Sequence, residues 1–208
     1  MNNEGSTIHL ILKHASRLFA DRGYEATGTR EIAESCGIEQ TELFHHFSSK
    51  EEIMNTLLKA DLDVAVAAAE RQLESSGSPA VRLYRYLVID LETACRSPFN
   101  LAGVTRPRIR RELSFAGARA RHQRLFDARV NLITQGIRSR EFVACDPVEA
   151  GRAVEWTIEG LLTDLASAPV ADIDATVRDV TDMCMRGLLA DPGDLDGIRV
   201  AALESLGT

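Results

Sequence analysis

Six prolines in 208 residues leave room for long helices, and aromatic residues are scarce enough, at 5%, that each is worth placing. The four cysteines, Cys36, Cys95, Cys145 and Cys184, lie far apart. None forms a C-x-x-C pair or has a histidine at metal-ligand spacing, so they read as free thiols in a reducing cytoplasm, and no metal site is expected. No apolar run reaches bilayer-spanning length, and the start MNNEGSTIHL lacks the basic residues and apolar centre of a secretion signal. A cytoplasmic location without a membrane partner is expected. Positive charge is also short, for the net charge is −7. That argues against a chain that coats nucleic acid, so any DNA contact must come from a local site. There is no G-x-S-x-G elbow, phosphate-binding glycine loop or H-E-x-x-H. Neither an enzyme nor a cofactor is expected.

What is present is an ordinary globular composition, 45% hydrophobic and 26% charged, in a chain long enough to bury a core. Its charge is segregated: residues 104–140 hold ten basic against two acidic residues, and 141–208 hold four against fourteen. Nearly every long segment repeats apolar residues at three- and four-residue spacing, and no alternating strand run stands out, so the fold class is all-α. The first helix follows Ser6 or Thr7, buries Ile8, Ile11, Leu12, Ala15, Leu18 and Phe19, and stops at Gly23. Thr29 caps a second, Arg30 to Cys36, which ends at Gly37. A third covers about 40–46. Ser49-Lys50-Glu51-Glu52 has the form of a capping box, starting a fourth helix that runs to about Leu73. Further helices are expected over 79–96, 100–112, 114–139, from Asp146-Pro147 to Ser167, and over 173–190, followed by a tail that forms a short helix or frays.

Two short helices joined by a tight turn make a helix-turn-helix. Ala33 is the small residue at the crossing, Gly37 the turn, and Ile32, Ile38, Leu43 and Phe47 the inner face. Gln40, Thr41, Glu42, His45 and His46 are left facing outward.

The longer run ILKHASRLFADRGYEATGTREIAESCGIEQTELFHHFSSKEEIMNTLL resembles the DNA-binding domain of the tetracycline-repressor (TetR) family. The resemblance rests on LFADRGYEAT, TREIAESCGI, the L-F-H-H-F ending of the third helix and the following SKEE. It implies a helix-turn-helix DNA-binding domain over 1–50 and a helical ligand-binding and dimerisation domain over 51–208. It also implies a homodimeric repressor released from palindromic double-stranded operator DNA by a small-molecule effector. GIRSREFVACDPVEAGRAVEWTIEGLL is similar to the start of that family's dimerisation helices. Carried over by position, Gln40, Thr41, Glu42 and His45 face the groove, while Thr29, Arg30, Phe44, His46 and Lys50 lie where the family touches the DNA backbone. Phe44 stands where tyrosine is frequent, which removes a hydroxyl contact to phosphate.

Each of these residues also has a plainer reading. Glu42, third in its helix if Glu39 is the N-cap, suits the positive helix end better than it suits a cytosine amino group. Gln40 is the stronger candidate for a base contact, since its amide matches both edges of adenine. The arginine run of 104–140 reads as a solvated face with partners in the acidic 141–208 segment. A ligand pocket needs apolar walls with a few converging polar groups, and Tyr86, Phe99, Phe115, Arg119, His122, Phe126, Trp156, Thr157 and Glu159 are its candidates. Small and apolar residues on the last two long helices suit a two-fold helical interface, and intramolecular packing explains part of the pattern equally well. An acidic N-terminal domain leaves a second reading open, a ligand-binding or interaction protein of this fold with weak or lost DNA binding.

Overall fold

The computed structural model describes residues 3–97, 116–167 and 171–206. They form α1 (Asn3–Arg22), α2 (Thr29–Cys36), α3 (Gln40–His46), α4 (Lys50–Glu74), α5 (Pro79–Arg96), α6 (Ala116–Arg138), α7 (Pro147–Ser167), α8 (Ile173–Arg186), a 3-10 turn (Pro192–Asp194) and α9 (Leu195–Glu204). Among the described residues there is no strand, only an isolated antiparallel bridge between Phe142 and Leu189. No helix of theirs is long and apolar enough to cross a membrane. The helix expected over 100–112 lies outside the described residues.

Most boundaries follow local chemistry. Gly23 and Gly37 close α1 and α2 with φ of +88° and +70°, a conformation that costs glycine little. Asp146 accepts from the Val148 N–H at 2.8 Å, capping α7 ahead of Pro147. The capping box at α4 is only half made. Ser49 Oγ accepts from the Glu52 N–H at 3.1 Å, but Glu52 reaches past Ser49 to the backbone N–H and hydroxyl of Ser48, both at 2.6 Å. Helix α1 starts at Asn3, before the expected Ser6 or Thr7, since a helix once nucleated extends at little cost. Helix α8 stops at Arg186 rather than Ala190 because the next residues find partners outside it: Leu188 C=O accepts from Val143 N–H and Ala190 N–H donates to Glu141 C=O, at 2.8 and 2.9 Å.

The chain groups into two compact units. One holds α1 to α3 and α4 as far as Leu62, with the N-terminal end of α6 and the C-terminal end of α7. Its core is Ile11, Leu12, Ala15, Phe19, Ile32, Ala33, Leu43, Phe47, Ile53, Met54 and Leu57, all buried. The other holds 63–96, 121–161 and the chain from 171 onward, centred on Leu83, Tyr84, Tyr86, Leu87 and Leu91 of α5, with Leu132, Ile133, Val177 and Met185 buried as well. Helix α9 is tied down here rather than frayed. Arg199 grips Asp182 of α8, whose Oδ1 also accepts the Tyr84 hydroxyl hydrogen at 2.8 Å.

Among the described arginines of the basic run, partners come from α4 and α5 as well as from the acidic segment, where the Glu155 charge acts on Arg129. Arg121 pairs with Asp63 and Arg124 with Glu70, both on α4, and Arg129 faces Asp90 on α5. Within 141–208, Asp174 also answers Arg96 and Asp182 answers Arg199. Helical packing, which charge counts do not encode, decides which side chains meet.

Candidate nucleic-acid interface

The helix-turn-helix is built from α2, the Gly37 turn and α3. Ile38 N–H donates to Ala33 C=O at 3.1 Å, closing the end of α2. Ile32, Ala33, Leu43 and Phe47 are buried and Ile38 half-buried, so one side of α3 is fixed against the core. The opposite side is thereby presented outward: Thr41, Glu42, Phe44 and His45 are exposed, Gln40 and His46 half-buried. Phe44 keeps 46% of its surface accessible, a large apolar group standing among polar neighbours.

Glu39 takes the N-cap position in extended conformation, but its side chain makes no cap bond. Glu42 stands exposed in the first turn, where its charge favours the positive end of the helix dipole. Gly28, not Thr29, is the N-cap of α2. Thr29 is instead the first helical residue, and its Oγ1 accepts a hydrogen bond from Gln40 Nε2 at 2.9 Å. Arg30 is exposed and pairs with Glu34 one turn on, at 3.1 Å. Exposed pairs of this kind contribute little, so the guanidinium is readily given up to a phosphate.

Lys50 is more constrained than its position at a helix start suggested. Its ammonium donates to the carbonyls of Tyr24 and Thr27 at 2.7 and 2.8 Å and lies 4.3 Å from the Tyr24 ring centroid. One of its three hydrogens remains for a phosphate. Thr27, buried, donates from its hydroxyl to Gly23 C=O at 2.9 Å. The loop between α1 and α2 is therefore held from both sides, and Tyr24 is the residue here that sequence reading passed over.

The candidate pocket residues divide. Phe99 and Phe115 lie outside the described residues. Trp156 is 63% exposed, on the outer side of α7, so it is no interior wall. Arg119, His122, Phe126, Thr157 and Glu159 are half-buried, and Tyr86 is fully buried. Tyr86 sits in a charged cluster not anticipated from sequence. Arg129 donates to its hydroxyl at 3.2 Å and to Gly151 C=O at 3.3 Å, and the same hydroxyl donates to Asp90 at 3.3 Å. Phe126 borders the same spot, its ring 3.6 Å from where a Cβ on Gly151 would lie. Burial pushes the Asp90 carboxyl above its ordinary range, although Arg129 and the Tyr86 hydroxyl pull it down. Burial likewise raises Tyr86, which stays a neutral phenol. A further pair lies between α7 and α8, where Cys184, pushed up to about 11 by burial, meets the Thr157 hydroxyl. The signal for Arg129 was available: it falls on the Leu125–Leu132–Ile133 stripe, where an arginine needs a buried partner.

A family model described as bacterial regulatory proteins, tetR family, matches residues 11–57. Over 82 residues the chain is 38% identical to the HTH-type transcriptional repressor KstR2 of Mycobacterium tuberculosis, covering 39% of this chain and 41% of that protein. The similarity thus spans about two fifths of that relative's length. It is 28% identical over 180 residues to the HTH-type transcriptional repressor AcnR of Corynebacterium diphtheriae, covering 85% of this chain and 90% of that one. The solved structure of AmtR of Mycobacterium smegmatis superposes with a TM-score of 0.82 at 28% identity, over 95% of this chain and 93% of that chain.

Proposed function

This chain belongs to the tetR family of bacterial regulatory proteins, and from that premise we propose that it binds double-stranded operator DNA as a homodimer and represses transcription until a small-molecule effector releases it. The observation that carries the reading is the α2–Gly37–α3 unit, whose buried Ile32, Ala33, Leu43 and Phe47 hold Thr41, Glu42, Phe44 and His45 outward in a row suited to a major groove. Gln40, Thr41, Glu42 and His45 are its base-facing residues, and Thr29, Arg30, Phe44, His46 and Lys50 its backbone-facing ones. Val148, Trp156 and Met183 remain exposed on α7 and α8, an apolar surface fit for a second copy. Tyr86, His122, Phe126, Thr157 and Glu159 would line the effector site, with Asp90 and Arg129 as its polar groups. A ligand that alters the spacing of the two recognition helices, set for grooves about 34 Å apart, would release the DNA.

One observation favours the second reading, a fold-retaining protein with weak or lost DNA binding: α3 contains no lysine or arginine and bears Glu42 in its first turn. Selection from a random duplex library at low salt separates the two. Enrichment of a palindrome, with affinity that falls as salt rises, supports the regulator; no enriched sequence sinks it. Small molecules that release the selected duplex would then identify the effector.

A further inference from the structure

Gln40 opens α3 and Thr29 opens α2, and the one hydrogen bond joining their side chains, Gln40 Nε2 to Thr29 Oγ1 at 2.9 Å, crosses the helix-turn-helix. A glutamine amide reads adenine by accepting from N6 through Oε1 while donating to N7 through Nε2. That requires the amide to be held in one plane and one flip state, whereas its terminal torsion is intrinsically broad. Thr29 supplies the restraint. It is β-branched and stiff at χ1, and it is fixed at the start of a helix whose next turn is anchored by buried Ile32 and Ala33. It takes one of the two Nε2 hydrogens and leaves the other, together with Oε1, for a base. Its own hydroxyl hydrogen remains free to turn outward.

We propose that Thr29 is a positioning residue for sequence reading: it orients the Gln40 amide for an adenine, so that base preference at one position of each half-site depends on a residue that touches no base. The inference rests on α3 being the recognition helix. A threonine that only contacted phosphate would affect all sequences alike.

The test uses the full-length chain and the palindrome it selects, together with a duplex in which the adenine pair read by Gln40 is changed in each half-site. The wild-type chain is expected to prefer the selected duplex by about tenfold or more, and Gln40→Ala to abolish that preference. Thr29→Val, which keeps the shape and removes the hydroxyl, is expected to reduce the preference at this base pair at least about fivefold, and Thr29→Ser to restore it. Thr29→Ala serves as the second hydroxyl-free variant should the valine chain melt early. Equal weakening on both duplexes by Thr29→Val, with the preference kept, overturns the positioning role and leaves the recognition helix intact. A wild-type chain that enriches no sequence overturns both, and a preference insensitive to Gln40→Ala overturns the adenine reading.

Discussion

Lys50 clamps Tyr24: its ammonium lies over the ring, 4.3 Å from the centroid, and donates to the carbonyl of the same residue at 2.7 Å. The first residue of α4 thereby fastens the loop that precedes α2, so the charge proposed to meet a phosphate also holds the domain. Lys50→Met keeps the apolar stem and loses the hydrogen bonds and the cation–π contact. It is expected to cost about 1–2 kcal/mol in the DNA-free protein, a fall of several degrees in Tm. Calorimetry without DNA checks it; an unchanged Tm alongside weakened DNA binding would leave Lys50 a phosphate ligand only.

The same residues show what a sequence discloses. Gly23, Gly37 and Asp146-Pro147 act through the chain beside them, and helices α1 and α2 end, and α7 begins, where those residues require. The outward row of α3 followed as well, because burial of Leu43 and Phe47 fixes what faces away. Contacts between helices were not legible in this way. The partners of Arg121 and Arg124 on α4, the Tyr86–Asp90–Arg129 cluster and the Thr29–Gln40 bond depend on which helix faces meet, and neither charge counts nor periodicity sets that.

Gly136 shows a packing constraint. A Cβ there would lie 2.1 Å from the ring of Phe142, which is buried where the chain folds back after α6. The N–H groups of Glu141 and Phe142 both donate to Gly136 C=O, at 2.9 and 3.0 Å, so neither backbone nor ring can easily retreat. Gly136→Ala is expected to destabilise by about 1–3 kcal/mol although alanine favours a helix. Urea unfolding measures the loss, and the alanine should cost less in a Phe142→Leu background; an equal cost in both would show that the ring is not the obstacle.

Stability should fall in acid through two identifiable glutamates. Hydrogen bonds from the Ser48 hydroxyl and N–H hold Glu52 below the ordinary range. Burial pushes Glu141 upward, but hydrogen bonds from Ser139, Ser78 and the Ala80 N–H, with the Arg82 charge, bring it below the ordinary range. Since folding lowers both values, the unfolded chain takes up protons first as pH drops below about 4.3, and the stabilisation is lost as pH falls through the folded values. Replacing both by glutamine should flatten the pH dependence of unfolding below that point and leave its slope near neutrality unchanged. An acid limb as steep as that of the wild-type chain would assign it to other carboxylates.

The Asp90–Arg129 pair offers the sharpest test of the buried cluster. Their nearest N and O are 3.9 Å apart, with side chains 15% and 5% exposed, and Tyr86 bridges them through two hydrogen bonds. Removing Arg129 strands Asp90 beside the Glu155 charge in a poorly solvated site, so Arg129→Met should cost about 3–5 kcal/mol at neutral pH, whereas Asp90→Leu leaves Arg129 with Glu155 and should cost less. The double variant removes both charges and should cost far less than the sum, since replacing a buried pair by apolar residues is often near neutral. Asp90 already titrates above its ordinary range, and loss of Arg129 raises it further. A raised folded value stabilises below the unfolded one and is lost as pH rises through the folded one, so the cost of Arg129→Met should shrink as pH falls and Asp90 takes up its proton. Urea unfolding of the four chains at two pH values reads both effects. Additive costs without pH dependence would mean that the two charges are solvated separately and that the cluster contributes no coupling to the core.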